Sequence, residues 1–212
     1  MNAVFGDGGP LVILSAIGDE GKEVYDLVRR FTDREFTLAS MRVDDWNRDL
    51  SPWEADAVSG GERFGGGAQS YLDKLVGETI PDILKGLPQE PSGKIVAGYS
   101  LAGLFALWAV CRTDMFDAAV SASGSLWFPG FTEMLKTATV HADKVYLSLG
   151  DKESKTRNTV MSTVEERTRK AYEILSARHI ETVFEMNPGN HFKDPSLRTA
   201  KGIAWALGDR TD

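Results

Sequence analysis

Apolar residues recur along this chain in two rhythms, and the switches between them sketch its elements. Leu11-Val12-Ile13-Leu14-Ser15-Ala16 is a short, branched apolar run between Pro10 and Gly18, the signature of a strand buried on both faces. From 20 to 31 the period changes. Val24, Leu27, Val28 and Phe31 fall three and four apart, which puts them on one face of a helix. Further strands are predicted at 36–43, 95–97, 118–121, 145–149 and 182–186, with helices at 101–112, at about 158–178 and at the carboxy end. Strands alternating with helices imply right-handed crossovers, hence an α/β fold whose mainly parallel, twisted sheet carries helices on both faces. One stretch breaks the rhythm. Residues 44–70 hold Trp46, Trp53 and five glycines, and an insert of that length is expected to line a binding surface or to lie as a loop over the core.

Composition narrows the class. The chain has 212 residues, which fits a single domain over 1–212, and 42% of them are hydrophobic, enough for a substantial core. Lys and Arg number 24 against 31 Asp and Glu, a net charge of -7, so the long-range field repels nucleic acid and anionic membrane surfaces; neither is expected as a partner. A lone cysteine, Cys111, excludes an internal disulfide and any paired-cysteine metal site. With no leader-like start and no apolar run of membrane-spanning length, the expected location is the cytoplasm.

Chemistry concentrates where the strand at 95–97 meets its helix. Gly98-Tyr99-Ser100-Leu101-Ala102 places a serine at a sharp strand-to-helix turn, with small residues two before and two after so that strand and helix can pass; this is the setting of a nucleophile elbow. The competing role for such a serine is a helix N-cap. Chain order then asks for an acid and a histidine, in that sequence. The protein has three histidines, His141, His179 and His191. The first two precede their strands, whereas His191 follows the last strand, at the carboxyl end where functional groups of open α/β sheets gather. Between serine and histidine, Gly150-Asp151-Lys152-Glu153 offers two carboxylates: Glu153 is preferred as the acid, with Asp151 the alternative. An oxyanion hole is expected from the amides of Leu101 and Ile17. Trp46, Tyr99 and Trp127 are the candidate walls of a substrate pocket. Gly18-Asp19-Glu20-Gly21-Lys22-Glu23 lacks the first glycine and the hydroxyl of a phosphate loop, and the glycines at 60–67 follow no strand as a dinucleotide-binding turn would; chemistry carried by a serine and a histidine needs neither a metal nor an organic cofactor, and none is expected.

These segments, together with Gly189-Asn190-His191-Phe192 and the tryptophan stretches Asp45-Trp46-Asn47 and Leu50-Ser51-Pro52-Trp53, resemble the esterase branch of the α/β-hydrolase superfamily. That branch includes enterochelin-type siderophore esterases, S-formylglutathione hydrolases and mycolyltransferases. The resemblance implies acylation of Ser100, with His191 as base and Glu153 as acid, acting on a small-molecule ester or thioester. It also implies a chain without the first strands of larger relatives and without a separate cap domain. Two alternatives stand beside hydrolysis. One is acyl transfer through the same acyl-enzyme; the other is a non-catalytic binding module on this fold.

Overall fold

The computed structural model describes residues 2–58 and 60–208. Its main sheet is built from β1 (Ala3–Phe5), β2 (Leu11–Ala16), β3 (Thr37–Arg42), β6 (Lys94–Tyr99), β7 (Ala118–Ala122), β8 (Lys144–Gly150) and β9 (Glu181–Asn187). A two-stranded ribbon joins β4 (Glu54–Ala55) to β5 (Phe64–Gly65). The sheet order is β1-β3-β2-β6-β7-β8-β9, parallel throughout except for β1, which runs antiparallel to β3 along the edge. The helices are α1 (Glu20–Val28), α2 (Trp46–Asp49), α3 (Ala68–Lys74), α4 (Ile80–Gly86), α5 (Leu101–Ala109), α6 (Phe131–Thr137), α7 (Val164–Ser176) and α8 (Pro195–Ala206).

Strand alternation divides the core into two layers. Val12 and Leu14 of β2 point toward α1 and α8, where they meet Val24, Val28, Ile203 and Ala204. Their neighbours Leu11 and Ile13 point the other way, into the larger core with α3, α5 and α7. Burying a side chain of this kind is worth about 1.5–3 kcal/mol, which is why β2 can be apolar at almost every position. Every residue of α5 is buried, so this helix is fixed on all sides and holds the residue before it firmly.

The chain leaves β2 toward β3 on one side, and later enters β6 on the other side of β2. That reversal opens a crevice beyond the carboxyl ends of β2 and β6, between the loop that begins at Ile17 and the turn at Ser100.

Several expectations differ in detail. α1 stops at Val28, because the chain turns away there and leaves Phe31 37% exposed instead of in the core. The stretch at 44–70 is no bare loop: α2 and the β4–β5 ribbon fold it against the core, with Trp53 donating its indole N–H to the Pro129 carbonyl at 2.9 Å. Helix follows from Ala68 to Gly86, passing through one π turn at Leu75–Thr79. β1 and α6 are further elements that the apolar pattern did not announce. No helix among the described residues is long and apolar enough to cross a membrane.

Candidate active site

Ser100 sits at φ 59°, ψ -121°, a left-handed backbone conformation that costs a non-glycine residue about 1–3 kcal/mol and is held only by surrounding structure. That structure is visible. The Ser100 amide donates to the Ala122 carbonyl of β7 at 3.1 Å, and the Ser125 amide donates to the Ser100 carbonyl at 3.0 Å. Gly98 lets the turn close, since a Cβ there would lie 2.5 Å from that of Ala102. The hydroxyl therefore stands above the sheet, while Leu101 opens α5 and its amide has no acceptor within the helix.

His191 Nε2 lies 3.0 Å from Ser100 Oγ, and His191 Nδ1 lies 2.7 Å from Glu153 Oε2. With a carboxylate at Nδ1, the neutral ring carries its hydrogen there and accepts from the serine hydroxyl at Nε2. The second carboxylate oxygen of Glu153 is saturated. It accepts from the Gly150 amide at 2.6 Å, the Ser123 hydroxyl at 2.8 Å and the Arg198 guanidinium at 2.8 Å. Burial alone would raise the Glu153 carboxyl, but hydrogen bonds from His191, the Gly150 amide and Ser123 outweigh it and hold the group below its ordinary value of 4.5. Its ionised form therefore stabilises the fold at pH values above that figure, and the contribution is lost as pH falls through the lowered value. The acidic shoulder of the melting-temperature profile should accordingly be flatter in Glu153→Gln than in the unmodified protein.

Asp151 takes a different place. Exposed at the surface, it accepts from the Gly189 amide at 2.7 Å, and its own amide donates to the Asn187 carbonyl, so it staples the two loops without reaching the imidazole. His141 and His179 precede β8 and β9 and lie at the opposite end of the sheet. The Cys111 thiol is buried and pushed up to about 12 by that burial, which leaves it unreactive.

Two cavities meet at Ser100 and His191. The larger, about 480 Å³, is mostly apolar and includes Leu14, Ile17, Trp46, Tyr99 and Phe192. The smaller, about 280 Å³, includes Trp127, Ser125, Lys152, Lys155 and again Phe192. Trp46 and Tyr99 thus border one chamber and Trp127 the other. Tyr99 also donates its hydroxyl to the His191 carbonyl at 2.5 Å. A larger open depression, about 620 Å³ around Lys74, Glu78 and Ile83, contains none of these groups.

Ile17 borders the larger cavity, but its amide is occupied: it donates to Glu20 Oε1 at 2.9 Å, and the Gly18 amide donates to Glu20 Oε2 at 2.8 Å. Sequence reasoning missed this clasp, as it missed Ser123, Arg198 and the 86% exposed Phe192. Arg198 carried no signal of its own in the sequence: it stands one turn before Gly202, where a Cβ would clash with Tyr146 and Val120 at 2.5 Å, and this approach of α8 to the sheet shows only once the helix is placed.

A family model described as "Putative esterase" matches residues 21–194, most of the chain, and spans Ser100, Glu153 and His191. The chain belongs to this esterase family. Solved structures agree on the fold of the esterase. It is similar to an IroE-like serine hydrolase from Shewanella oneidensis, with 18% identity, 97% of this chain and 75% of that one covered, and a TM-score of 0.78. It is also similar to the siderophore hydrolase EstA from Aspergillus nidulans, with 19% identity, 95% and 83% coverage and a TM-score of 0.66. A third likeness is to the enterobactin esterase FES from Shigella flexneri, with 17% identity and a TM-score of 0.69. There, 97% of this esterase spans only 54% of the other chain. No curated protein matches it. Family and fold together support ester hydrolysis as the activity.

Proposed function

We propose that this protein is a serine hydrolase that cleaves carboxylic esters or thioesters through an acyl-enzyme on Ser100. The observation that carries the reading is the continuous chain Ser100 Oγ, His191, Glu153, with contacts of 3.0 and 2.7 Å. His191 takes the hydroxyl proton at Nε2 as Oγ bonds to the acyl carbon, and the carbonyl oxygen becomes an oxyanion. Collapse expels the alcohol or thiol, which receives that proton from Nε2. Water activated by the same nitrogen then adds to the acyl carbon, and the carboxylic acid leaves as Oγ is reprotonated. Glu153 keeps its charge throughout and steadies the imidazolium. The two chambers on either side of Ser100 fit a substrate whose larger part is apolar. The names of its structural neighbours make siderophore esters a sensible member of any substrate panel.

The amides of Leu101 and Ile17 are the proposed oxyanion donors, and the second of these requires Glu20 to swing out. Glu20→Ala is therefore expected to raise kcat/KM about threefold to tenfold, the worth of one freed hydrogen bond. A loss of activity at this position, with the fold intact, would remove Ile17 from the oxyanion hole.

Acid quenching during turnover of an activated ester, followed by intact-mass analysis, tests the acyl-enzyme. The reading expects an added acyl mass on the unmodified protein and none on Ser100→Ala. Turnover of the unmodified protein with no Ser100-dependent adduct under any quench time would contradict it.

A further inference from the structure

Arg198 is 1% exposed, a full positive charge in the interior, and it lies outside the chain of groups that the proposed reaction uses. An unpartnered buried guanidinium would be prohibitively costly, so its partners define what it does. Nη1 lies 2.8 Å from Glu153 Oε1, 3.0 Å from Ser123 Oγ and 3.3 Å from the Tyr99 hydroxyl. Nη2 donates to the carbonyls of Pro188 at 3.1 Å and Asn190 at 3.0 Å. One planar fork thereby reaches the end of β6, the turn after β7, the turn after β8 and the loop after β9. The last two carry Glu153 and His191. Space for the fork is reserved as well: a Cβ at Gly150 would lie 2.8 Å from Nη2 and 2.3 Å from the Gly189 carbonyl.

We propose that Arg198 is a positioning residue for the reaction, its guanidinium locking the Glu153 carboxylate to the backbone that carries His191 so that acid and base reach Ser100 in one fixed geometry. The proposal rests on the roles given above to Ser100, His191 and Glu153. It assigns Arg198 two separable tasks. The fork ties the Pro188 and Asn190 carbonyls to Glu153, which a lysine ammonium, a compact point donor on a flexible stem, does not reproduce. The charge balances a buried carboxylate. The ionisable groups that face Glu153 are His191 from the loop after β9, Arg198 from α8 and Tyr99 from β6, with Asp151, Lys152 and Lys155 exposed on its own turn. Arg198 is the buried cation of that set. Without it, the hydrogen-bonded Glu153–His191 pair takes up a proton more readily, and the acid side of the activity profile moves to higher pH.

Arg198→Lys and Arg198→Met separate the two tasks in the intact chain. Arg198→Lys keeps the charge and loses the fork: kcat is expected to fall about tenfold with KM within about twofold and the acid-side midpoint unmoved. Arg198→Met loses both: kcat falls about 10²-fold or more, and the midpoint rises by about one pH unit. Activities are referred to the folded fraction measured by melting, so a loss that merely follows unfolding overturns the proposal. Where Arg198→Met does not fold, Arg198→Lys decides alone, since unchanged kcat there contradicts the role of the fork. In a folded Arg198→Met, an unmoved midpoint contradicts the role of the charge. Fluorophosphonate labelling of the unmodified protein keeps the two levels apart. A Ser100 adduct alongside wild-type behaviour of both variants overturns this proposal only, whereas an active protein without a Ser100 adduct overturns the functional reading and this proposal with it.

Discussion

His191→Ala is expected to lower kcat by about 10⁴-fold or more while leaving the melting temperature within a few degrees, because members of a nucleophile–base unit lose nearly the whole effect when one is removed. The imidazole is held at both nitrogens, 3.0 Å from Ser100 Oγ and 2.7 Å from Glu153 Oε2, and its backbone carbonyl is fixed by Tyr99. Its side chain is 27% exposed, so truncation removes little packing and the loss falls on kcat rather than on stability. His141→Ala and His179→Ala are the matched controls, at the amino ends of β8 and β9 and away from Ser100; both should keep nearly full turnover. Comparable losses at all three positions would contradict a role specific to His191.

The second large effect separates the carboxylates. Glu153→Gln is expected to lower kcat by about 10²–10⁴-fold, since an amide neither fixes the imidazole tautomer nor stabilises the imidazolium. It also leaves Arg198 facing a neutral partner, so some loss of stability accompanies the loss of rate. Asp151→Asn removes a carboxylate that, among the described residues, holds the Gly189 amide, and should cost on the order of 1 kcal/mol of stability with kcat almost intact. Melting temperature and kcat measured side by side for both variants distinguish the outcomes. An inactive, folded Asp151→Asn beside an active Glu153→Gln would transfer the role of acid to Asp151.

How much of this was legible in the sequence follows from the range of the forces involved. Strands buried on both faces show as unbroken apolar runs, so β2, β6, β7 and β8 could be read to within a residue or two at most ends. β1 could not: three residues at a sheet edge are too short to show a period. The helix that starts at Ala68 was hidden by its π turn. Buried Leu72 and Leu75 are followed by buried Ile80 five residues later, a step that breaks the three-and-four rhythm. Gly77 and Pro81 within it disguise it further.

At the site, the serine's setting is local and was therefore readable as strand, turn and helix. The choice between Asp151 and Glu153 depends on how one turn curls. The Glu153 amide donates to the Gly150 carbonyl at 3.1 Å, which bends the chain so that the third residue of the turn, not the first, faces His191. Arg198 and the Glu20 clasp on Ile17 depend on side chains reaching across loops, and no periodicity carries that information.

Covalent labelling reads the proposed nucleophile, Ser100, without reference to any substrate. Treatment with a fluorophosphonate, digestion and peptide mapping should find one adduct per chain, on Ser100, formed at a rate that collapses in His191→Ala. A stoichiometric adduct on another residue, or full ester turnover by a protein whose Ser100 stays unlabelled, would contradict the account.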